Sequence, residues 1–494
     1  MNFKCAARLS CAVFATLLSV SSLAAEEMSG ACPADTSKSS INHARWLADF
    51  EIVKEAIAAR SPNLDWQVSR GLDLFTLSAR TEAALSNAVD DANARVTLNR
   101  FIARFADGHM RLTWPKLEQN TTPPLRHENF CMANNYWDGA DEFELARHLP
   151  GFKALARHEK WSAAGAIDTS YGPVGVLRVP LFSPNVEHCE AALAELEISQ
   201  GETCDEDCAE QVRAKADDLF LFDIRSAITA VQREEAVILL VDIADNGGGS
   251  DLSIATARML AGNSVPTPRL GIDRTPERAR DIQERITYLR EAMSNASDSE
   301  RKILGEYVSA LDAALEDLSR DCGRQHIWSG APAACSSSVS GPFYASGLTP
   351  RELDTDTRAK PWAITVSSTA RYDYEPGLWK GDLAVLVDGG TASSAELFAA
   401  MLQDHGATVI GSPTVGASCG WNMARKTIEL PYSGGRLDIP NCARFRRDGS
   451  NEIDGISPDV FVGFKDFDTA TQRQSRLAAR WPIIASTIFT VDKN

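Results

Sequence analysis

Two apolar runs, each closed by glycines, constrain this chain more than any other feature. Ala236 to Val241 is continuously apolar, turns at Asp245-Asn246-Gly247-Gly248-Gly249, and leads into a helical pattern ending near Ala261. Leu383 to Val387 repeats the plan, with a turn at Asp388-Gly389-Gly390 and a helix from about Ser393 to Asp404. Val409-Ile410 opens a third run. A strand apolar at every position, rather than at alternate ones, has to be covered on both faces. Strand, glycine turn and helix in repetition therefore predict an α/β fold with a mainly parallel sheet. Gly175 to Phe182 reads as another buried strand, and an acidic, cysteine-bearing helical segment follows to about Gln232.

The flanks read differently. Trp46, Phe50, Val53 and Ile57 recur at spacings of 4, 3 and 4, and Leu98, Phe101, Ile102 and Phe105 share one helical face. Residues 25–115 are thus expected to form a helical N-terminal domain, and 116–494 the main domain. Residues 115–170 carry little apolar periodicity. An insertion at about 266–320 contains Ile282, Ile286, Leu289 and Met293, then Leu304, Tyr307, Val308, Leu311, Leu315 and Leu318. These predict an antiparallel pair of amphipathic helices, the second started by a capping box, Ser297-x-x-Glu300.

The first 24 residues are expected to be an address label. Lys4 and Arg8 precede an apolar run from Cys11 to Leu23, and Ser22-Leu23-Ala24 supplies the small residues of a cleavage site. Export to a periplasmic or secreted location follows. Nine cysteines lie beyond this segment, and an oxidising compartment favours pairing them. The short-loop pairs are Cys322–Cys335 and Cys419–Cys442, with Cys189 joined to Cys204 or Cys208. Cys204 and Cys208 lack the second cysteine pair or nearby histidines of a zinc site. The chain carries 50 Lys+Arg against 67 Asp+Glu, a net charge of −17, with no basic patch, so nucleic acid is not an expected partner. No internal stretch has the roughly 20 apolar residues of a membrane span.

Two serines compete as nucleophile. Gly416-Ala417-Ser418-Cys419-Gly420 fits the G-x-S-x-G elbow. An elbow needs a helix next, however, and Met423 to Leu430 reads as a strand; its histidine should also follow, and the last histidine is His405. Ser393 stands instead between a strand and a helix, where exposed N–H groups and the helix dipole favour an alkoxide and an oxyanion. Ser393-x-x-Glu396 is at the same time a capping box. His405 lies about 18 Å along the same helix and cannot serve Ser393. The base has to come from upstream, and His109, after the Ala106-Asp107-Gly108 turn, is the candidate.

Four segments carry a family resemblance. Leu386 to Leu397, continuing through Leu402-Gln-Asp-His-Gly406 to Gly411, is similar to the nucleophile segment of the tail-specific (C-terminal-processing) and tricorn-type serine peptidases. Val241 to Gly249 resembles their Asp-Leu-Arg-x-Asn-x-Gly-Gly turn, with Ala244 for Arg. Phe105 to His109 resembles their Asp-Gly-His-Thr element, with Met110 for Thr. Glu452 to Val460 resembles their closing Glu-x-x-Gly-Val-x-Pro-Asp segment. The general-base lysine of the processing branch belongs 25 residues after the nucleophile. Ser418 stands there, and Lys426 comes eight residues later. A histidine-dependent, tricorn-like arrangement remains, with Gly108 where that branch has a serine before its histidine. The Gly-Leu-Gly-Phe loop of a tail-binding PDZ module is missing.

The resemblance implies a crotonase-like α/β core and an exported serine peptidase acting on peptide or protein substrates. It implies Ser393 as nucleophile, His109 as general base, and Glu452 orienting or polarising them. Backbone N–H groups of Gly248 and Ser394 would hold the oxyanion. Neither metal nor organic cofactor is implied. The alternative is a non-catalytic envelope ligand- or peptide-binding protein on the same scaffold, and the joint presence of Ser393, His109 and Glu452 argues against it. An acyl-CoA enzyme of crotonase type is at odds with export. Oligomeric state is not readable.

Overall fold

A seven-stranded sheet organises the molecule: β1 (Phe152–Arg157), β2 (Ala163–Thr169), β3 (Gly172–Arg178), β4 (Ile238–Asp242), β5 (Asp382–Val387), β6 (Thr408–Gly411) and β7 (Val460–Phe461). The strands lie side by side in chain order. β3 through β7 are parallel, with Val174 opposite Ile238 and Ile238 opposite Asp382. β1, β2 and β3 form an antiparallel meander. This computed structural model describes residues 41–115, 130–137, 145–157, 163–198, 204–330, 335 and 337–490. The signal segment expected at 1–24 lies outside them, as does Cys32.

The unbroken apolar runs now have their reason. Leu239, Val241, Val385 and Val409 face a core closed by the helices Glu206–Gln232, Leu252–Ala261 and Ser394–Asp404. Their neighbours Ile238, Leu240, Leu386 and Ile410 face a second core, closed by the C-terminal helix Ala470–Thr490 through Leu477, Trp481, Ile484 and Ile488. Truncating one such residue, as in Leu240→Ala, typically costs about 2–5 kcal/mol.

The N-terminal helices His43–Arg60, Leu74–Ser86 and Asp91–Ala103 start at Asn42, Asp73 and Asp90, whose side chains accept backbone N–H groups. Phe50 and Phe101 meet edge to face at 4.8 Å. The expected boundary at 115 is crossed, because the same core contains Leu430, Leu437 and Ile439. The strand Arg111–Thr113 pairs antiparallel with Arg436–Asp438, which carries the other end of the fold next to His109. Of the strand read from Met423 to Leu430, only Ile428–Glu429 forms.

The insertion is a helical hairpin, Pro276–Ser294 and Asp298–Leu318. Its capping box closes with Ser297 N–H donating to Glu300 at 3.0 Å. Ile282, Ile286, Leu289, Leu304, Tyr307 and Leu311 bury against each other and against Trp362. Two of the expected disulfides form, Cys322–Cys335 and Cys419–Cys442. The third is different: Cys189 joins Cys131, and Cys204 joins Cys208. The short helix Phe130–Ala133 packs on the helix Val186–Glu195, bringing the Cys131 and Cys189 Cα atoms to 5.8 Å.

Candidate active site

The two glycine turns at the ends of β4 and β5 are laced together. Asp245 N–H donates to Asp388 at 2.8 Å, Thr391 Oγ1 donates to the Ile243 carbonyl at 3.0 Å, and Ala392 N–H donates to the Asn246 carbonyl at 2.9 Å. Asp388 is itself paired with Arg473 of the C-terminal helix. Gly248 has φ +108°, and a Cβ there would lie 2.8 Å from the Ser393 Cβ, so only glycine allows this approach. Ser393 sits where the second turn enters its helix, at φ +58° and ψ −117°. A non-glycine residue in that region is strained, and the surrounding bonds have to hold it there.

His109 completes a pair across 284 positions of chain: Ser393 Oγ lies 3.1 Å from His109 Nε2. The other ring nitrogen, Nδ1, is 2.7 Å from the Ala417 carbonyl. A carbonyl can only accept, so the proton resides on Nδ1 and Nε2 offers its lone pair to the serine hydroxyl. The His109 backbone N–H donates to Asp107 at 3.0 Å, which fixes the turn. Burial, the largest cause, holds the imidazole below its ordinary value, and Arg444 and Arg111 act the same way against the Ala417 carbonyl. The neutral ring is therefore the resting form near pH 7. Desolvation pushes the buried Asp107 carboxyl up, to about 6.

Glu452 is buried nearby, but it is not the histidine's partner. Its Oε2 accepts from Arg444 Nε at 2.6 Å. Arg444 Nη2 in turn donates to the Ser393 carbonyl and the Ser418 carbonyl, each at 2.8 Å. Glu452 thus reaches the Ser393 main chain through a guanidinium. Glu396, read from the sequence as a helix cap, has a second task. It accepts Ser393 N–H at 2.9 Å, Thr414 Oγ1 at 2.6 Å, and the N–H groups of Gly416, Ala417 and Ser418 at 2.7, 2.9 and 3.3 Å. Burial raises this carboxyl, yet all five partners donate to it, which the ionised form satisfies.

The expected oxyanion donors fare differently. Gly248 N–H is already given to Asn246 Oδ1 at 2.8 Å, a correction to the sequence expectation that follows from the tightness of its turn. The next residue, Gly249, lines the cleft together with Ser393 and Ser394. Ser394 Oγ donates to the Gly249 carbonyl at 3.2 Å, tying the two turns at this point. Ser418, the rejected candidate, is fully buried, and Lys426 pairs with Glu277. Ala417 and Arg444 were invisible as site residues, since neither stands in a chemical motif. Glu396 had its signal in the capping-box spacing.

The cleft beside the pair encloses about 450 Å³ and is lined by Leu348, Ile364, Val366, Tyr372, Leu397 and Trp421, with Arg371 at its rim. Arg285 of the hairpin also lines it, so the insertion borders the site. A larger cavity, of about 790 Å³, lies between the N-terminal helices and residues 318–329, away from the Ser393–His109 pair. Among the described residues, no three His, Cys, Asp or Glu side chains converge as a metal site, and no helix is long and apolar enough to cross a membrane.

A serine at a strained turn on a parallel sheet thus stands at hydrogen-bond distance from a histidine, and the comparisons with known proteins give the class. Residues 221–462 match the model of peptidase family S41, a family of serine peptidases, and the protein is a serine-type peptidase. Its substrates are accordingly peptides or proteins. The fold is similar to that of mature CPAF, at TM-score 0.56 and 11% identity over 92% of this chain and 99% of that one. It is equally similar to mature CPAF complexed with lactacystin, at TM-score 0.58 and 12% identity over 91% and 99%. No curated protein matches the chain.

Proposed function

We propose that the protein is an exported serine peptidase in which Ser393 is the nucleophile and His109 the general base. The observation that carries this is the Ser393 Oγ to His109 Nε2 distance of 3.1 Å, with Nδ1 held on a group that only accepts. Ser393 Oγ attacks the scissile carbonyl carbon as Nε2 takes its proton. The imidazolium then returns that proton to the leaving amine, and water hydrolyses the acyl-enzyme by the reverse sequence. Ser394 N–H, at the helix start, and Gly249 N–H receive the developing oxyanion, where losing one donor typically costs about 3 kcal/mol. Glu452 orients the nucleophile by way of Arg444. Export is supported by the N-terminal segment and by four disulfides.

The test is labelling of the purified protein with a fluorophosphonate probe beside Ser393→Ala, His109→Ala and Ser418→Ala. Labelling that disappears with the first two and persists in the third is expected. Loss in Ser418→Ala alone overturns the choice of nucleophile. A folded wild type that never labels points instead to a non-catalytic binding protein.

A further inference from the structure

In a Ser–His pair, the group on the histidine's second nitrogen fixes its tautomer and stabilises the imidazolium that forms in the transition state. Here that group is the carbonyl of a peptide bond. The 417–418 peptide faces two ways: its C=O accepts from His109 Nδ1 at 2.7 Å, and its N–H, from Ser418, donates to Glu396 at 3.3 Å. A hydrogen bond accepted at one end of an amide and donated at the other polarises it, so the carbonyl carries more negative charge than a solvated one. The same carboxylate also takes the N–H groups of Gly416 and Ala417 and that of Ser393 itself. One buried side chain therefore fastens the nucleophile's backbone and the histidine's acceptor to a common point.

Three further observations agree. Glu452 is engaged by Arg444. At position 108, a Cβ would lie 2.9 Å from the Ala417 Cβ, so the loop bearing the carbonyl occupies the space that any side chain before His109 would need. Ser418 is held at φ +52°, the strained conformation that sends its N–H toward Glu396 while its carbonyl meets Arg444.

Resting on the reading of Ser393 and His109 as the reacting pair, we propose that Glu396 is a positioning residue acting through the 417–418 peptide, in a chain running carboxylate, amide, imidazole, hydroxyl. The negative charge that steadies the imidazolium comes from Glu396, one peptide removed, and not from Glu452. Glutamine at 396 keeps the size but turns an amide NH₂ toward N–H donors, so the loop shifts and the carbonyl leaves Nδ1.

The experiment compares Glu396→Gln, Glu396→Asp and Glu452→Gln with wild type, measuring fluorophosphonate labelling rates from pH 4 to 9. Thermal melting and the disulfide count report folding. Glu396→Gln is expected to lower the rate about 100-fold and move the acid limb of the profile to lower pH, since the imidazolium loses its acceptor. Glu396→Asp, which keeps the charge, recovers part of both. Glu452→Gln slows labelling with its acid limb unmoved. A folded Glu396→Gln with the wild-type limb overturns the proposal, and so does a limb that moves in Glu452→Gln alone. If Glu396→Gln does not fold, the imidazole ¹⁵N spectrum of wild type decides. A proton on Nδ1 bonded to a carbonyl supports the proposal, and the far-downfield proton of a carboxylate-bonded Nδ1 overturns it. Failure of wild type to label at all is a failure of the underlying pair, and is seen separately.

Discussion

Ser393 and Ser418 occupy similar backbones and lead opposite lives. Both are held at positive φ, +58° and +52°, and both give their backbone N–H to Glu396 and their carbonyl to Arg444. Ser418 even sits inside the better-known serine motif. The hydroxyls differ: Ser393 Oγ faces His109 and the cleft, whereas Ser418 Oγ is buried 3.4 Å from the Arg444 N–H. Positive φ and main-chain bonds to Glu396 and Arg444 are thus shared by both serines. What separates them is access to a base.

The largest effect should come from exchanging the two roles by mutation. Ser393→Ala is expected to lower peptide hydrolysis about 10⁴-fold or more, and His109→Ala nearly as far, because members of such a unit fail together. Ser418→Ala should cost less than about tenfold, read in the same assay. Equal losses at both serines would erase the distinction.

A second way to press the comparison is through the disulfide Cys419–Cys442, which ties the Ser418 loop to the strand bearing Arg444. Replacing both cysteines with serine opens a 23-residue loop and should cost roughly 3 kcal/mol by denaturant melting. Labelling of Ser393 should slow as well, because Ala417 and Arg444 both lose an anchor. If stability falls while labelling stays constant, the loop does not support the nucleophile.

Acidity sharpens it further. Burial holds His109 below the ordinary histidine value of about 6.5, and the base works only when neutral. Activity should therefore be flat near pH 7 and fall as pH drops through a midpoint below 6.5, measured as kcat/KM against pH. The smallest effect concerns strain: Ser418→Gly should change stability by no more than about 1 kcal/mol, because relief of positive φ is offset by the freer unfolded chain.

How much of this was legible depended on how far each contact reaches along the chain. β4 and β5 were readable because they are sandwiched between two cores and so are apolar on both faces from Ile238 to Val241 and from Leu383 to Val387. β1 and β2 were not: Gly165 has no side chain where the Phe152 ring would lie 2.2 Å from a Cβ, and a run of small residues carries no apolar period. Cys322–Cys335 and Cys419–Cys442 close short loops, while Cys131–Cys189 spans 58 residues and depends on helices packing. Ser393 and His109 were candidates by position, and the family resemblance singled them out. Glu396 announced only its cap, since its bonds to residues 414 to 418 belong to tertiary structure. Arg444 gave no local signal.

The antiparallel pairing of Arg111–Thr113 with Arg436–Asp438 also sets an order of events. His109 is made early in synthesis, and the strand that borders its turn is made more than 300 residues later. The loop carrying Ala417 and the arginine at 444 arrive in that same late stretch. A nascent chain therefore holds His109 before Ser393, and then Ser393 before the supporting strand has docked. The arrangement around His109 is therefore set by contacts that close only after Arg436–Asp438 has been made.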